Sequence, residues 1–190
     1  SCIENGEIVV FRKEEWFKVL IHESMHVFGL DFSHMNNYDI HSQLRRLFPI
    51  RSEFKAYEGY TEFWAIIMNC ILQSFFIRDN RNNYKNFLTD FKFCITTERL
   101  FSLFQCVKVL KHVHMNYKDL YSNSELSNAL RNSYREESNV FAYIFIKMIL
   151  LNDYTSFLKW CDKNNNDAIF KFNNDNPKKS VSIFFYKILN

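Results

Sequence analysis

His22-Glu23-Ser24-Met25-His26 is the stretch that most restricts what this 190-residue chain can fold into. On a helix, residues four apart share one face, so His22 and His26 can point at a single metal ion. Glu23 is displaced by one residue, enough to miss the ion and reach a water bound to it. Chance alone would produce the pattern in roughly one chain of this kind in a hundred. Two histidines do not complete a site. Zinc sites that do chemistry use three protein ligands and keep one position for water. The chain must therefore bring a third ligand from elsewhere, and the fold must set a second element against this helix.

The first helix is predicted over about 14–28. Lys13-Glu14-Glu15 places acids where the positive end of the helix dipole favours them. Trp16, Phe17, Leu20, Ile21, Met25 and Phe28 form its packing surfaces, and Gly29 is a natural stop. Before it, Asn5-Gly6 reads as a turn and Glu7–Phe11 as a short edge strand, the only strong strand signal in the chain. After it come a loop to Asn37, a short helix near 38–47 ending before Pro49, and a long helix over about 53–77. A polar break at 78–83 precedes a strongly periodic stretch, 84–115, which reads as one helix or two. Residues 116–135 read as a mobile polar loop with at most one helical turn, 140–151 as a buried helix and 154–163 as a shorter one. A break at 173–177 and an amphipathic segment at 178–189 end the chain. Hydrophobic residues make up 47% and aromatics 18%, ample for a core. No repeat and no domain boundary is visible, so a single mainly helical domain over 1–190 with a C-terminal helical bundle is expected. Ser1 in place of Met reads as a processed chain or a piece of a longer one.

Two continuations compete for the third ligand. His22-Glu-x-x-His26-x-x-Gly29 resembles the matrixin branch of the metzincins, but the third histidine of that pattern falls at Phe32. His34 comes two residues late, and no Met-turn follows. The second candidate is Glu58-Gly59-Tyr60-Thr61-Glu62. It resembles the Glu-x-x-x-Asp/Glu element of the gluzincins, zinc peptidases of the thermolysin and aminopeptidase N type. That resemblance covers about residues 7–65 and implies a zincin-like α+β fold. In it, an active-site helix faces a glutamate helix. It also implies Glu58 as the third zinc ligand and Glu62 as the carboxylate behind a zinc histidine. The interval from His26 to Glu58 is longer than usual in the family, and the predicted 38–47 helix accounts for the extra length.

The residues support the second candidate without the family. Glu58 and Glu62 are i,i+4 on one helix face. Gly59 removes a side chain beside Glu58, letting another helix come close at a helix-propensity cost of ~1 kcal/mol. The flanking Tyr57, Phe63, Trp64 and Ile66 make this a mostly buried helix, where carboxylates need partners. Zinc held by His22, His26 and Glu58, with Glu23 as general base, would hydrolyse a peptide or protein substrate. The Glu7–Phe11 strand would pair with extended substrate backbone. Tyr60, His34, Asn139 and Tyr143 are candidates for substrate or transition-state contacts, as are His112 and His114. Two other readings stay open: an inactive zincin-fold binding or structural module, and a non-peptide amide hydrolase using the same zinc site. Peptide deformylases share the His-Glu-x-x-His element, but their cysteine motif is missing around Cys2.

Composition narrows the partners. The net charge of +3 is scattered, which argues against nucleic acid. The most apolar run, Trp64–Ile77, is interrupted by Asn69 and Gln73 and is short for a membrane span. Five cysteines without a C-x-x-C pair, and no signal-peptide pattern, point to reduced thiols and an intracellular, cytoplasmic setting. Abundant Asn, Lys, Ile, Phe and Tyr with 3 Gly and 2 Pro match an AT-rich genome such as that of a large DNA virus.

Overall fold

The structure is a computed structural model that describes residues 6–10, 13–35, 38–53, 55–78, 83–165 and 168–173. It is 69% helix. In chain order the helices are α1 (Trp16–Val27), α2 (Tyr38–Leu47), α3 (Ala56–Phe76), α4 (Tyr84–His112), α5 (Glu125–Ser133), α6 (Lys147–Asn152) and α7 (Tyr154–Asn164). A 3-10 turn, Tyr117–Leu120, precedes α5, and a π-helical segment, Phe141–Ile146, runs directly into α6. The mainly helical expectation holds. The zincin-like sheet does not form among the described residues. Glu7–Val10 has no ladder partner there, and Phe11 lies outside the described residues. Val9 is 43% exposed, so this stretch lacks the buried face that would fix a strand against a neighbour. The predicted segment at 178–189 also lies outside the described residues, as does Cys2.

α3 is the centre. Every residue from Ala56 to Ile67 is buried, the pattern of a helix packed on all sides. α1 lies against it, as do α4, the π-helical segment and α6. Rings fill the layers: Phe63 meets Phe157 at 4.7 Å between centroids, Phe48 meets Phe141 at 5.4 Å, and Phe32 meets Phe172 at 4.7 Å. Phe32 is thus a core residue, packed also on Tyr57 and Tyr60.

Two local features set the approach of the elements around α3. The first is the end of α1. Gly29 has φ +58°, and paired bonds from Gly29 N–H to His26 O (3.0 Å) and from Leu30 N–H to Met25 O (2.9 Å) close the helix. This left-handed closure favours glycine and turns the chain back along the helix it has left. The second is Gly59. A Cβ built there would lie 2.7 Å from Ile146 Cγ2, 2.9 Å from Ile146 Cβ and 3.0 Å from the Ala142 carbonyl oxygen. The backbone of α3 therefore lies directly against the Ile146 side chain and the Ala142 carbonyl at that point.

The long periodic stretch is one helix, α4, without a break. The region expected to be a mobile loop is instead ordered by caps. The Asn116 N–H donates to Asp119 Oδ2 (2.8 Å), and Ser124 Oγ accepts from Ser127 N–H (3.1 Å) to start α5. Arg131 on α5 is buried and donates to the Asp119 carbonyl and to Asn128 Oδ1. No single helix among the described residues is long and apolar enough to cross a membrane.

Gly59→Ala distinguishes close packing from helix propensity. Propensity alone would stabilise the variant by ~1 kcal/mol. Because the new methyl meets the branched carbons of Ile146 and a backbone oxygen, the expected outcome is a net loss of about 1–3 kcal/mol in urea denaturation.

Candidate metal centre

Three side chains from α1 and α3 converge on one point. His22 Nε2 and His26 Nε2 are 3.2 Å apart, and each lies 3.3 Å from Glu58 Oε2. All three residues are buried, and together they form a group that could hold a metal ion.

The other ring nitrogens decide the tautomers. His22 Nδ1 faces Glu62 Oε2 at 3.1 Å, and His26 Nδ1 is in contact with Asp31 Oδ2. A carboxylate in front of each Nδ1 holds the proton there, so each Nε2 presents its lone pair to the centre. Glu58 adds a third electron-rich atom. Without a proton or a cation among them, these atoms repel one another.

The carboxylates are themselves held. Glu62 takes Lys18 Nζ on its other oxygen at 2.9 Å, and the buried Lys147 adds positive charge nearby. Burial works to raise the Glu62 pKa, but the hydrogen bond with His22 and the charge of Lys18 bring it down to about 2. Burial also opposes ionisation of Glu58. Hydrogen bonds with His22, His26 and the Tyr143 hydroxyl hold it far below the usual carboxylate range. Asp31 is fully buried and accepts from Ser33 N–H (3.0 Å), Ser33 Oγ (2.7 Å) and Thr61 Oγ1 (3.3 Å). Burial works to raise its pKa, but the hydrogen bond with His26 and those from Ser33 lower it. α3 thus contributes Glu58 to the centre, Glu62 to His22 and, through Thr61, a hand on Asp31.

The remaining sequence candidates fall in different places. Glu23 is partly buried on α1, one residue beyond His22. Tyr143, on the π-helical segment, donates its hydroxyl to Glu58 Oε2 at 2.7 Å, with its ring 5.8 Å from that of His22. Asn139 is partly buried and supplies the carbonyl that accepts Tyr143 N–H at 3.0 Å. Tyr60 points into the core. Its hydroxyl donates to the Phe170 carbonyl (2.9 Å) and accepts from Asn165 Nδ2 (3.0 Å). His34, His112 and His114 are exposed on loops or at the end of α4.

Asp31 and Lys18 were not singled out from sequence as part of the site. A signal for Asp31 did exist. Asp-x-Ser two residues past a helix-ending glycine is a side-chain turn on a chain that doubles back toward the last helical turn, where His26 sits. Lys18 lies four residues before His22 and so shares its helix face.

Comparison with protein-family models, with curated proteins and with solved structures returns no match to this chain.

The centre makes opposite demands on protons and metal. Burial disfavours a charged His22, but hydrogen bonds to Glu58 and Glu62 outweigh it and raise its pKa above 6.5. In the ion-free protein this protonation contributes stability that is complete below pH 6.5 and is lost as pH rises through the raised value. A metal competes for the same lone pair, so its affinity rises with pH. The increase in Tm on adding Zn2+ as a probe is therefore expected to grow from pH 6 to pH 8 in differential scanning calorimetry. Asp31→Asn is expected to weaken Zn2+ binding about 10–100-fold in a chelator competition.

Proposed function

We propose that this protein is a zinc-dependent peptidase with a gluzincin-like centre, in which His22, His26 and Glu58 hold the ion. One observation carries the reading: three lone-pair-bearing atoms meet in a buried place, and both histidines are backed at Nδ1 by carboxylates. The triangle edges of 3.2, 3.3 and 3.3 Å fit three corners of a tetrahedron with bonds of about 2.0–2.1 Å, whose edges are ~3.3 Å. Two imidazoles and one carboxylate are also the donor set of catalytic zinc in several hydrolases.

When bound, zinc supplies a Lewis acid that activates water near neutral pH and polarises a carbonyl. Glu62 and Asp31 keep both imidazoles in the metal-binding tautomer and raise their basicity. Lys18 fixes Glu62 by occupying the oxygen that does not face His22. The Tyr143 hydroxyl sits on the Glu58 oxygen nearest the histidines and restricts how that carboxylate can turn. Glu23 is the general base: it accepts a proton from the attacking water and returns it to the leaving amine. The substrate is a peptide or protein.

The cysteines fit a reducing setting. Cys70, Cys94, Cys106 and Cys161 are free thiols, and burial pushes Cys70 up to about 12 and Cys106 up to about 11. Thiols so hard to ionise are poor nucleophiles and poor metal ligands.

The test pairs metal content with turnover. Wild-type protein loaded with Zn2+ is expected to cleave a quenched fluorescent peptide library. Glu23→Gln should retain one equivalent of zinc and lose at least ~100-fold in rate. Zinc binding without hydrolysis by the wild type, or unchanged hydrolysis by Glu23→Gln, would sink the proposal.

A further inference from the structure

α4 is apolar on two faces, and the fold covers one. Ile95, Ser102, Cys106 and Leu110 point inward and are buried. On the opposite side Phe93 is 74% exposed, Leu100 63%, Phe101 55%, Leu103 41%, Phe104 60% and Val107 51%. A large apolar patch left exposed on a helix face marks an interaction site. Among the described residues nothing packs over this outer face closely enough to cover those side chains.

The spacing of the outer face points to its occupant. Phe93, Thr97, Leu100, Phe104, Val107 and Lys111 follow one another at intervals of 4, 3, 4, 3 and 4 residues. This alternation is the seam of a two-helix supercoil. It runs for about 27 Å at 1.5 Å per residue. Taking about 200 Å² for a fully exposed aromatic side chain and somewhat less for Leu and Val, the six apolar residues present about 600 Å². That is at the upper limit for a patch on a monomer. At an apolar share of about 65%, typical of homodimer interfaces, it corresponds to about 900 Å² per protomer. A stable specific interface needs about 800 Å² per partner.

We propose that two copies of this chain pair through the outer faces of their α4 helices, Phe93 to Val107 forming the apolar seam. A second copy supplies a helix of the same length and the same repeat, so each exposed ring finds a matching groove. Lys111 continues the repeat and ends the apolar part of it. A charged residue at such a position limits the strength of pairing.

Sedimentation equilibrium of the full chain between about 1 and 100 μM tests this. The expected mass is twice the 23.0 kDa of one chain at the upper end. Phe104→Ser, at an exposed position, should fold normally by circular dichroism and raise the dimer dissociation constant about 100-fold, since a symmetric contact is lost twice. Lys111→Leu should tighten the dimer. A wild type that remains at 23.0 kDa throughout overturns the proposal. If such a monomer binds phosphatidylcholine vesicles, the face belongs to a membrane surface. If it does not, another protein or another part of this chain covers it. A dimer whose constant is unmoved by both substitutions also overturns the proposal, because pairing then uses a different surface.

Discussion

Two imidazole nitrogens and a carboxylate oxygen meet within 3.3 Å in a buried place, and each nitrogen has its lone pair turned inward by a carboxylate behind it. Such a cluster is unfavourable unless positive charge sits at its centre. Much of the surrounding structure serves to keep it assembled. Glu58 and Glu62 come from α3, Lys18 comes from α1, and Asp31 comes from the loop that follows α1. The centre depends on one helix pair, α1 against α3, and on the buried position of α3 that stops its carboxylates from turning to water.

That dependence goes with close packing beside the centre. Glu58 faces α1, and its neighbour Gly59 faces the π-helical segment with no room for a methyl group. The same segment carries Tyr143 to Glu58. Glu136 prepares its start, accepting from the Phe141 N–H at 2.7 Å and from the Tyr134 hydroxyl at 2.7 Å. The shape of the C-terminal half is thereby tied to the orientation of a single carboxylate in the N-terminal half.

The geometry was legible in the sequence wherever it followed from helical period. The pairing of His22 with His26 and of Glu58 with Glu62 are i,i+4 relations, and a buried helix leaves such residues few places to point. Phe32 was readable as a non-ligand from its chemistry alone. Asp31 was not picked out, because its role depends on the chain reversing at Gly29, and a reversal carries no periodic signal. α5 was hidden because its stabilising groups are polar: Ser124, Ser127, Asp119 and a buried Arg131 in a stretch with few apolar residues. The strand expected at 7–11 shows the opposite failure. Its apolar residues match a strand by composition, but a strand exists only when a neighbour pairs with it, and none does so among the described residues.

Phe141–Ile146 was also beyond a periodic reading, since a run that is apolar on every side looks the same wound as an α-helix or as a π-helix. Its wider i→i+5 winding amounts to one residue more than an α-helix would use for the same span. The segment therefore counts length. Deleting one residue between Tyr143 and Ile146 would leave a helix of ordinary winding with the flanking turns in place, but it would change the angle between those two side chains. Tyr143 and Ile146 could no longer both meet α3 at Glu58 and Gly59. The extra residue is what allows two neighbouring positions on α3, one needing a hydroxyl and one needing empty space, to be matched by the same stretch of chain.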